Sequence, residues 1–320
     1  MDDQRLLRLL MAGPQTPAAL AHALGTPLAQ VDAALLALAG AGVALERAGA
    51  AFFLPYVPDL HDAANIRQRL APAAQGLLEG LDVVWQVDST NSELLRRSPP
   101  QHGIAVLLAE QQAAGRGRHG RVWASPLASH VYLSLACRFH GGLAAMAGLS
   151  LAVGVMVAEA LRGAGVPGAA LKWPNDLLVD GRKLGGILVE SRGKARADGL
   201  AVVGIGVNVH GDRAGHPVID QPWTSLDRHL PGPVRRDTVV QALLQVLLPG
   251  LAGFEAQGLP GYLPRFAALD ALAGRPVWVH QDGVRLPARA IGLAADGALR
   301  VVDQNGERSL YAGDVSVRMQ

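Results

Sequence analysis

Apolar positions in the first sixty residues recur at helical spacing, in short bursts. DQRLLRLLMA halts at Gly13-Pro14 and TPAALAHALG halts at Gly25, while PLAQVDAALLALAGAG opens on a proline and closes in glycines. VALERAGAAFFLPYVP follows as a small hairpin closed by prolines. Three helices and then a hairpin, with the second and third helices at turn spacing, predict a winged helix-turn-helix over residues 1–60.

Over residues 62–268 strand-like runs mix with helices. LDVVWQVD, IAVLLAE, HVYLSLACRF, AALKW, DLLVD, KLGGILVE and LAVVGIGVNVH read as strands; GLSLAVGVMVAEALRGAG and DTVVQALLQVLLPGLAGFEAQG read as helices. Several strands succeed one another through short turns, Asp180-Gly181 among them. The fold class is therefore α+β, with a mixed sheet that is at least partly antiparallel. Over residues 271–320, short strands punctuated by Asp282-Gly283, Asp296-Gly297 and Asn305-Gly306 predict a small β-barrel of the SH3 type. Gly141 to Ala158 is uncharged but lacks basic flanks, and its glycines and alanines suit a packed helix, so no membrane association is expected.

Composition narrows the setting. A net charge of +2 is too small to argue for a polyanionic partner. The single cysteine, Cys137, lies in VYLSLACRF, where a small buried hydrophobe fits; one cysteine makes no internal disulfide. MDDQRLLRLLMAG has two acids before its first basic residue and does not look like a signal peptide, so a cytoplasmic location is expected. Of 29 basic residues only Lys172, Lys183 and Lys194 are lysines, and two of these fall within LKWPNDLLVDGRKLGGILVE.

Five stretches carry candidate chemistry. In AEQQAAGRGRHGRVWASP, Gly115, Gly117 and Gly120 fit G-x-G-x-x-G, but Gly120 leads into RVWASP and a strand, where a dinucleotide fold needs a helix. Arg116, Arg118 and Arg121 with His119 instead suit phosphate or carboxylate, the alternative being a solvated basic loop or a nonspecific RNA contact. In WQVDSTNSELLRR a strand ends at Asp88 and a helix begins, with capping-box spacing from Thr90 to Glu93; Ser89, Thr90 and Asn91 form a compact donor and acceptor set. Strand alternation from Lys183 places Gly185 and Ile187 on its face and Leu184, Gly186 and Leu188 on the other. That lysine either reaches across a ligand lying flat on the sheet or is an edge lysine in solvent. Gly204, Gly206 and Asn208 share one side of a strand, a surface on which a planar group can lie. Trp223, in a proline-bearing loop, is either a core residue or a stacking lid.

DSTNSE, EQQAAGRGRHGRVW, KWPNDLLVDGRKLGGILVE and GIGVNV, in this order, closely resemble the biotin protein ligases. The resemblance spans nearly the whole chain, including the helix-turn-helix of members that also repress the biotin operon. It implies a class II synthetase-like central domain, with biotin and ATP as substrates and Mg²⁺ on the phosphates. Biotinyl-5'-adenylate forms first, and biotin then passes to one lysine of the biotin carboxyl carrier protein. Ser89, Thr90, Asn91 and Gln112 match residues that hold the ureido ring, and Arg116, Gly117 and Arg118 match the loop over the biotin tail and adenylate. Lys183 matches the lysine on the carboxyl and α-phosphate oxygens, and it and Arg118 are the catalytic candidates. Arg121, Lys172, Asn175 and Asp176 match the nucleotide side, Asp176 with the metal; Asn208 and Trp223 match the adenylate side, Trp223 from a loop expected to order on binding. The family's homodimers make a second copy a candidate partner. A lipoate or octanoate ligase is the alternative, and GRGRHGRVW with KWPND favours the biotin branch.

The chemistry agrees with that implication. A carboxylic acid with a pKa of about 4.5 is ionised at neutral pH, so attack on phosphorus requires cations and placement rather than a general base. Operator DNA is the weak point among the partners. From Leu9 to Glu46 there is no lysine or arginine, and the third helix offers only Gln30 as a long polar side chain, beside Asp32. A ligase whose N-terminal domain keeps its fold without operator binding is expected; the competing reading is a ligase that also represses.

Overall fold

The computed structural model describes residues 3–195, 197–211, 221–281, 284–312 and 316–319. It opens with α1 (Asp3–Met11), α2 (Pro17–Leu24) and α3 (Leu28–Gly40), followed by an antiparallel hairpin of β1 (Glu46–Ala48) and β2 (Ala51–Phe53). The Thr16 side chain accepts from the Ala19 N–H to start α2, and Gly25 ends it at φ 62. The chain bends by 106° between α2 and α3. Leu6, Leu7, Leu10, Leu20, Val31, Leu35 and Leu38 form a small separate core, into which Leu127 and Ala128 insert from far downstream.

The central unit comprises α4 (Ala63–Gln68), α5 (Pro72–Gln75), β3 (Leu78–Val87), α6 (Thr90–Arg96), β4 (Ile104–Gln112), β5 (Val131–Phe139), α7 (Leu149–Gly163), β6 (Ala170–Lys172), β7 (Asp176–Val179), β8 (Arg182–Gly193), β9 (Gly199–Val207), α8 (Arg236–Gln257) and α9 (Leu263–Ala267). Its seven strands run in the order β3-β4-β5-β9-β8-β7-β6. Only β3 and β4 pair in parallel, which makes the sheet mixed, as the short turns predicted. Asp180 and Gly181 both adopt positive φ, 50 and 72, the geometry of a tight hairpin turn. The apolar stretches that include α7 and α8 are each long enough to cross a bilayer. Both are spent on the core: Ala152, Val153, Val155, Met156, Leu243, Leu244, Leu247 and Leu248 have no exposed surface and pack with the sheet.

The C-terminal segment departs from expectation. β10 (Pro276–Gln281), β11 (Val284–Leu293), β12 (Leu299–Asp303), β13 (Gly306–Leu310) and β14 (Ser316–Met319) form a sheet ordered β13-β12-β11-β10-β14. Its two edges do not pair among the described residues, so the predicted barrel is instead an open sheet. The physical reason lies in what covers the inner face. Val277, Val279, Ala288, Ala290, Leu299, Val301, Leu310 and Val317 join the central core, so burial comes from the neighbouring unit and not from closure. Gly297 and Gly306 take the positive φ that their turns require, whereas the expected Asp282-Gly283 turn lies outside the described residues.

A buried charged knot ties the link behind the N-terminal hairpin to the central unit. Arg236, at the start of α8, has no exposed surface. Its Nε donates to the Asp59 carbonyl at 2.8 Å, its Nη1 to the His130 carbonyl at 2.9 Å and its Nη2 to Glu110. The Arg236 N–H donates to the Asp59 carboxylate at 2.6 Å, and Glu110 also accepts from the His61 N–H at 2.6 Å. Burial alone would raise the Asp59 carboxyl, but His210, the Arg236 N–H and the charges of Arg236 and Arg235 outweigh it and hold it at about 2. Arg236→Met removes the cation and leaves two buried carboxylates, so urea unfolding should show a loss of about 3–5 kcal/mol. Arg265→Met, which breaks a more exposed pair with Glu159, should cost no more than about 1 kcal/mol. Equal losses would deny the knot its special role.

Candidate functional site

The central sheet and the loop 113–126 line a cavity of about 160 Å³ that opens to solvent. One end is neutral and built for hydrogen bonding. Ser89 caps α6, accepting from the Ser92 N–H at 3.5 Å, so the capping residue is Ser89 and not Thr90. Glu93 therefore does not close a capping box; it pairs with Arg96 at 2.8 Å and Arg97 at 3.0 Å. The freed Thr90 donates from its N–H to Gln112 Oε1 at 2.9 Å, and Gln112 Nε2 donates to Ser125 Oγ at 3.1 Å. Beneath them Ser134, fully buried on β5, donates to Asn91 Oδ1 at 2.6 Å and shares a hydroxyl–hydroxyl hydrogen bond with Thr90 Oγ1 at 2.7 Å.

Asn91 has little left to offer a ligand. Its Nδ2 donates to the Leu188 carbonyl at 3.1 Å and to Glu190 Oε2 at 2.9 Å, and only 3% of its surface is exposed. Glu190 also accepts from Arg116 Nη2 at 3.1 Å, and Arg116 donates to Ser92 Oγ at 2.7 Å. A single carboxylate thus fastens the arginine loop to the floor of the cavity.

That floor is the glycine surface of β8 and β9. Gly186 faces Gly206 and Leu188 faces Gly204 across the ladder. A Cβ on Gly204 would lie 2.5 Å from the Asn91 amide, and one on Gly206 would lie 2.5 Å from the Trp123 indole. The planar groups on these bare positions are accordingly the protein's own. Trp123 Nε1 is buried without a partner among the described residues.

The other end is cationic. Lys183 Nζ lies 2.6 Å from Asp176 Oδ1, Lys172 Nζ lies 3.5 Å from Asp176 Oδ2, and Lys183 Nζ stands 5.7 Å from the centre of the Trp123 ring. Burial pushes the Lys172 ammonium below its ordinary pKa, with Lys183 and Arg318 adding to the effect against the pull of Asp176. Arg118 donates to Asn175 Oδ1 at 3.4 Å and to the Ala312 carbonyl, so it bridges to the C-terminal sheet. Asn175 in turn donates from Nδ2 to the Ile187 carbonyl at 2.8 Å.

The face assigned to Lys183 by simple alternation is wrong. Leu178 pairs with Lys183 but Leu177 pairs with Gly185, so Leu184 is an extra residue, a β-bulge. The bulge turns Leu184 and Ile187 into the core and sets Lys183 beside Gly186, whose Cβ would lie 3.8 Å from Nζ. Ser89, Thr90, Asn91, Gln112, Arg116, Gly117, Arg118, Arg121, Lys172, Asn175, Asp176 and Lys183 all line the one cavity. Asn208 and Trp223 do not. Asn208 Nδ2 donates to the Thr224 carbonyl at 3.1 Å and to the Lys183 carbonyl at 3.4 Å, and Trp223 forms a parallel bridge with Lys183, so both residues brace the strand that carries Lys183. The part of the loop expected to order on binding, residues 212–220, lies outside the described residues. Sequence reasoning missed Trp123, Ser134 and Glu190. The facing glycines could have announced Trp123, because such a gap needs a large flat neighbour.

Asp176 is the only carboxylate among the described residues lining the cavity. Both its oxygens face ammonium groups, and no cluster of three metal-ligating side chains occurs among the described residues. The donor set fits a magnesium ion that is held mainly by phosphate oxygens and takes at most one carboxylate from the protein.

Residues 83–208 match the profile of the Biotin/lipoate A/B protein ligase family. The chain is 36% identical over 262 residues to the bifunctional ligase/repressor BirA of Escherichia coli, covering 82% of this chain and 80% of that one. It is 34% identical over 236 residues to the biotin--[acetyl-CoA-carboxylase] ligase of Paracoccus denitrificans, covering 72% of this chain and 97% of that one. Among solved structures, the biotin protein ligase of Aquifex aeolicus in complex with biotin and ATP shares the fold, with a TM-score of 0.63 at 23% identity over 76% of this chain and all of that one. The profile match and the identity across most of both chains agree on one assignment: the chain belongs to the biotin protein ligase family.

Proposed function

We propose that the two ends of this cavity divide the work of an ATP-dependent biotin protein ligase. The chain activates biotin to biotinyl-5'-adenylate and transfers it to a lysine of the biotin carboxyl carrier protein of acetyl-CoA carboxylase. The observation that carries the division is the row of Lys172, Lys183 and Arg118 around Asp176, facing a neutral end made by Ser89, Thr90 and Gln112. The neutral end takes the ureido ring, with Asn91 acting as its floor. Glu190 is a positioning residue that acts through Asn91 and Arg116. The division of the chain into residues 1–60, 62–268 and 271–320 belongs to the same reading.

In the first step a biotin carboxylate oxygen attacks the α-phosphorus of ATP and pyrophosphate leaves. The carboxylate is already ionised, so the protein's task is to relieve repulsion between two anions. Lys183, 2.6 Å from Asp176, is read as the cation between carboxylate and phosphate, with Lys172 and Arg118 beside it in the cavity lining. Asp176 is the residue that would hold Mg²⁺ on the nucleotide, where the ion would neutralise phosphate charge. In the second step the acceptor amine attacks the acyl carbon and AMP departs. That amine has a pKa of about 10.4 and must shed a proton, for which Asp176 and Lys183 are the candidates.

The N-terminal helices and hairpin are read as a winged helix-turn-helix without operator binding. On α3 the exposed Leu28, Ala29, Gln30, Asp32, Ala33 and Leu36 include no cation.

Three outcomes test these assignments. Lys183→Arg keeps the charge but replaces a compact ammonium with a broad planar fork, so biotin-dependent ATP–pyrophosphate exchange, with lipoate as control, should fall about 10²-fold or more. Near-normal exchange would mean that any cation serves there. Glu190→Gln keeps an acceptor for Asn91 but removes the charge facing Arg116; the biotin KM should rise roughly tenfold with kcat little changed, about 1.4 kcal/mol of binding. A fall in kcat alone would move Glu190 into the chemistry. In a mobility-shift titration against the upstream region of the chain's own biotin genes, with biotin and ATP present, no site-specific complex should form; a shift at about 10 nM would restore the repressor reading.

A further inference from the structure

The backbone of Lys183 is held from outside the sheet. The ladder between β8 and β9 begins at Gly185, and the bulge separates Lys183 from the pairing of β7 with Gly185 and Gly186. Beyond the end of the β9 ladder, Pro222–Thr224 meets the chain instead. The Lys183 N–H donates to the Pro222 carbonyl at 3.0 Å, and the Lys183 carbonyl accepts from the Thr224 N–H at 2.9 Å and from Asn208 Nδ2 at 3.4 Å. The seat of the Lys183 ammonium therefore depends on where this short segment sits.

A histidine outside the cavity lining fixes the segment. Thr224 is 2% exposed, and its Oγ1 lies 2.8 Å from His229 Nε2. Asp180 Oδ2 lies 3.9 Å from His229 Nδ1 and draws the imidazole proton to that side, so Nε2 accepts from the Thr224 hydroxyl. The Asp180 carboxylate is 78% exposed and its pair adds little; the hydrogen bond to a buried hydroxyl is the stronger link. His229 follows a short turn pinned to the chain just past β9. There the Leu226 N–H donates to the Asn208 carbonyl and the Asp227 N–H to the Val209 carbonyl, both at 3.0 Å. The imidazole thus reaches back to Thr224 from a fixed base.

We propose that His229 is a positioning residue for adenylation, acting through Thr224 to hold the Lys183 backbone so that its ammonium stands between carboxylate and α-phosphate; the proposal rests on the ligase reading above. The physical basis is preorganisation. A cation stabilises a transition state fully only where it needs no rearrangement, and a misplacement of about 1 Å can cost about 10²-fold in rate. Ser89, Thr90 and Gln112 hold the other end of the cavity, so a loosened Lys183 lowers the rate more than the affinity for biotin.

The test is biotin-dependent ATP–pyrophosphate exchange by the full-length chain. His229→Ala should lower kcat about tenfold and move the biotin KM less than about threefold. His229→Gln, whose amide oxygen can accept from the Thr224 hydroxyl, should recover most of that loss. Thr224→Val should match His229→Ala, the two together should be no worse than either, and Thr224→Ser should stay near normal. In a Lys183→Arg background His229→Ala should cost nothing further, because the group it positions is already gone. The Thr224 pair carries the test if His229→Ala does not fold. An unchanged kcat in His229→Ala or Thr224→Val, a glutamine variant no better than alanine, or an undiminished loss in the Lys183→Arg background overturns the positioning role alone. If the unsubstituted chain shows no exchange with biotin, the ligase reading falls and this proposal with it.

Discussion

A guanidinium with no water around it must be met by protein on every side, and Arg236 meets that demand by drawing four distant segments to one point. Asp59 comes from the link behind the N-terminal helices, Glu110 from the end of β4, His130 from the entry to β5, and Arg236 itself begins α8. Two of these lie close in sequence to residues of the cavity: Glu110 is two residues from Gln112, and His130 is four from Ser134. Buried charge of this kind adds little net stability over an apolar equivalent, yet it fixes geometry, because any other arrangement strands an ion. The placement of the ligand strands therefore leans on an interaction that never touches a ligand.

Over this frame the cavity is shaped more by missing side chains than by present ones. Gly186, Gly204 and Gly206 clear a shallow bed, and the Asn91 amide and Trp123 indole settle into it. Asn91 is locked there by Leu188, Glu190 and Ser134, and Trp123 lies beneath the ammonium of Lys183. Polar recognition and electrostatic catalysis are thus two ends of one surface, and the contacts that stiffen one end reach the other.

Much of this was legible beforehand. The helical bursts, the strands and the cluster of cations in the KWPND stretch could be read from spacing and residue type, because local periodicity and scarce residues leave traces in one dimension. What depended on tertiary context could not. The turn glycines at 297 and 306 signalled a barrel, but they do not say that the central core already covers Val279 and Val301. Glu190 is one acid in a strand, and its role exists only because β8 passes beneath Asn91. Asn208 and Trp223 carry letters suited to a ligand, yet neither lines the cavity: the Asn208 side chain bonds the Thr224 carbonyl and Trp223 bridges to Lys183.

A strand has a frame of two, and the extra Leu184 is a frameshift within it. Upstream of it Lys183 is in one frame; downstream Gly186, Leu188 and Glu190 are in the other, and the insertion alone puts them on one side of the sheet. Removing a single residue between Lys183 and Gly186 would preserve every functional letter of the stretch while turning its ammonium toward the apolar packing of α7. Along this hairpin a one-residue change in length is therefore as damaging as the loss of the lysine itself, a constraint that residue identities alone do not express.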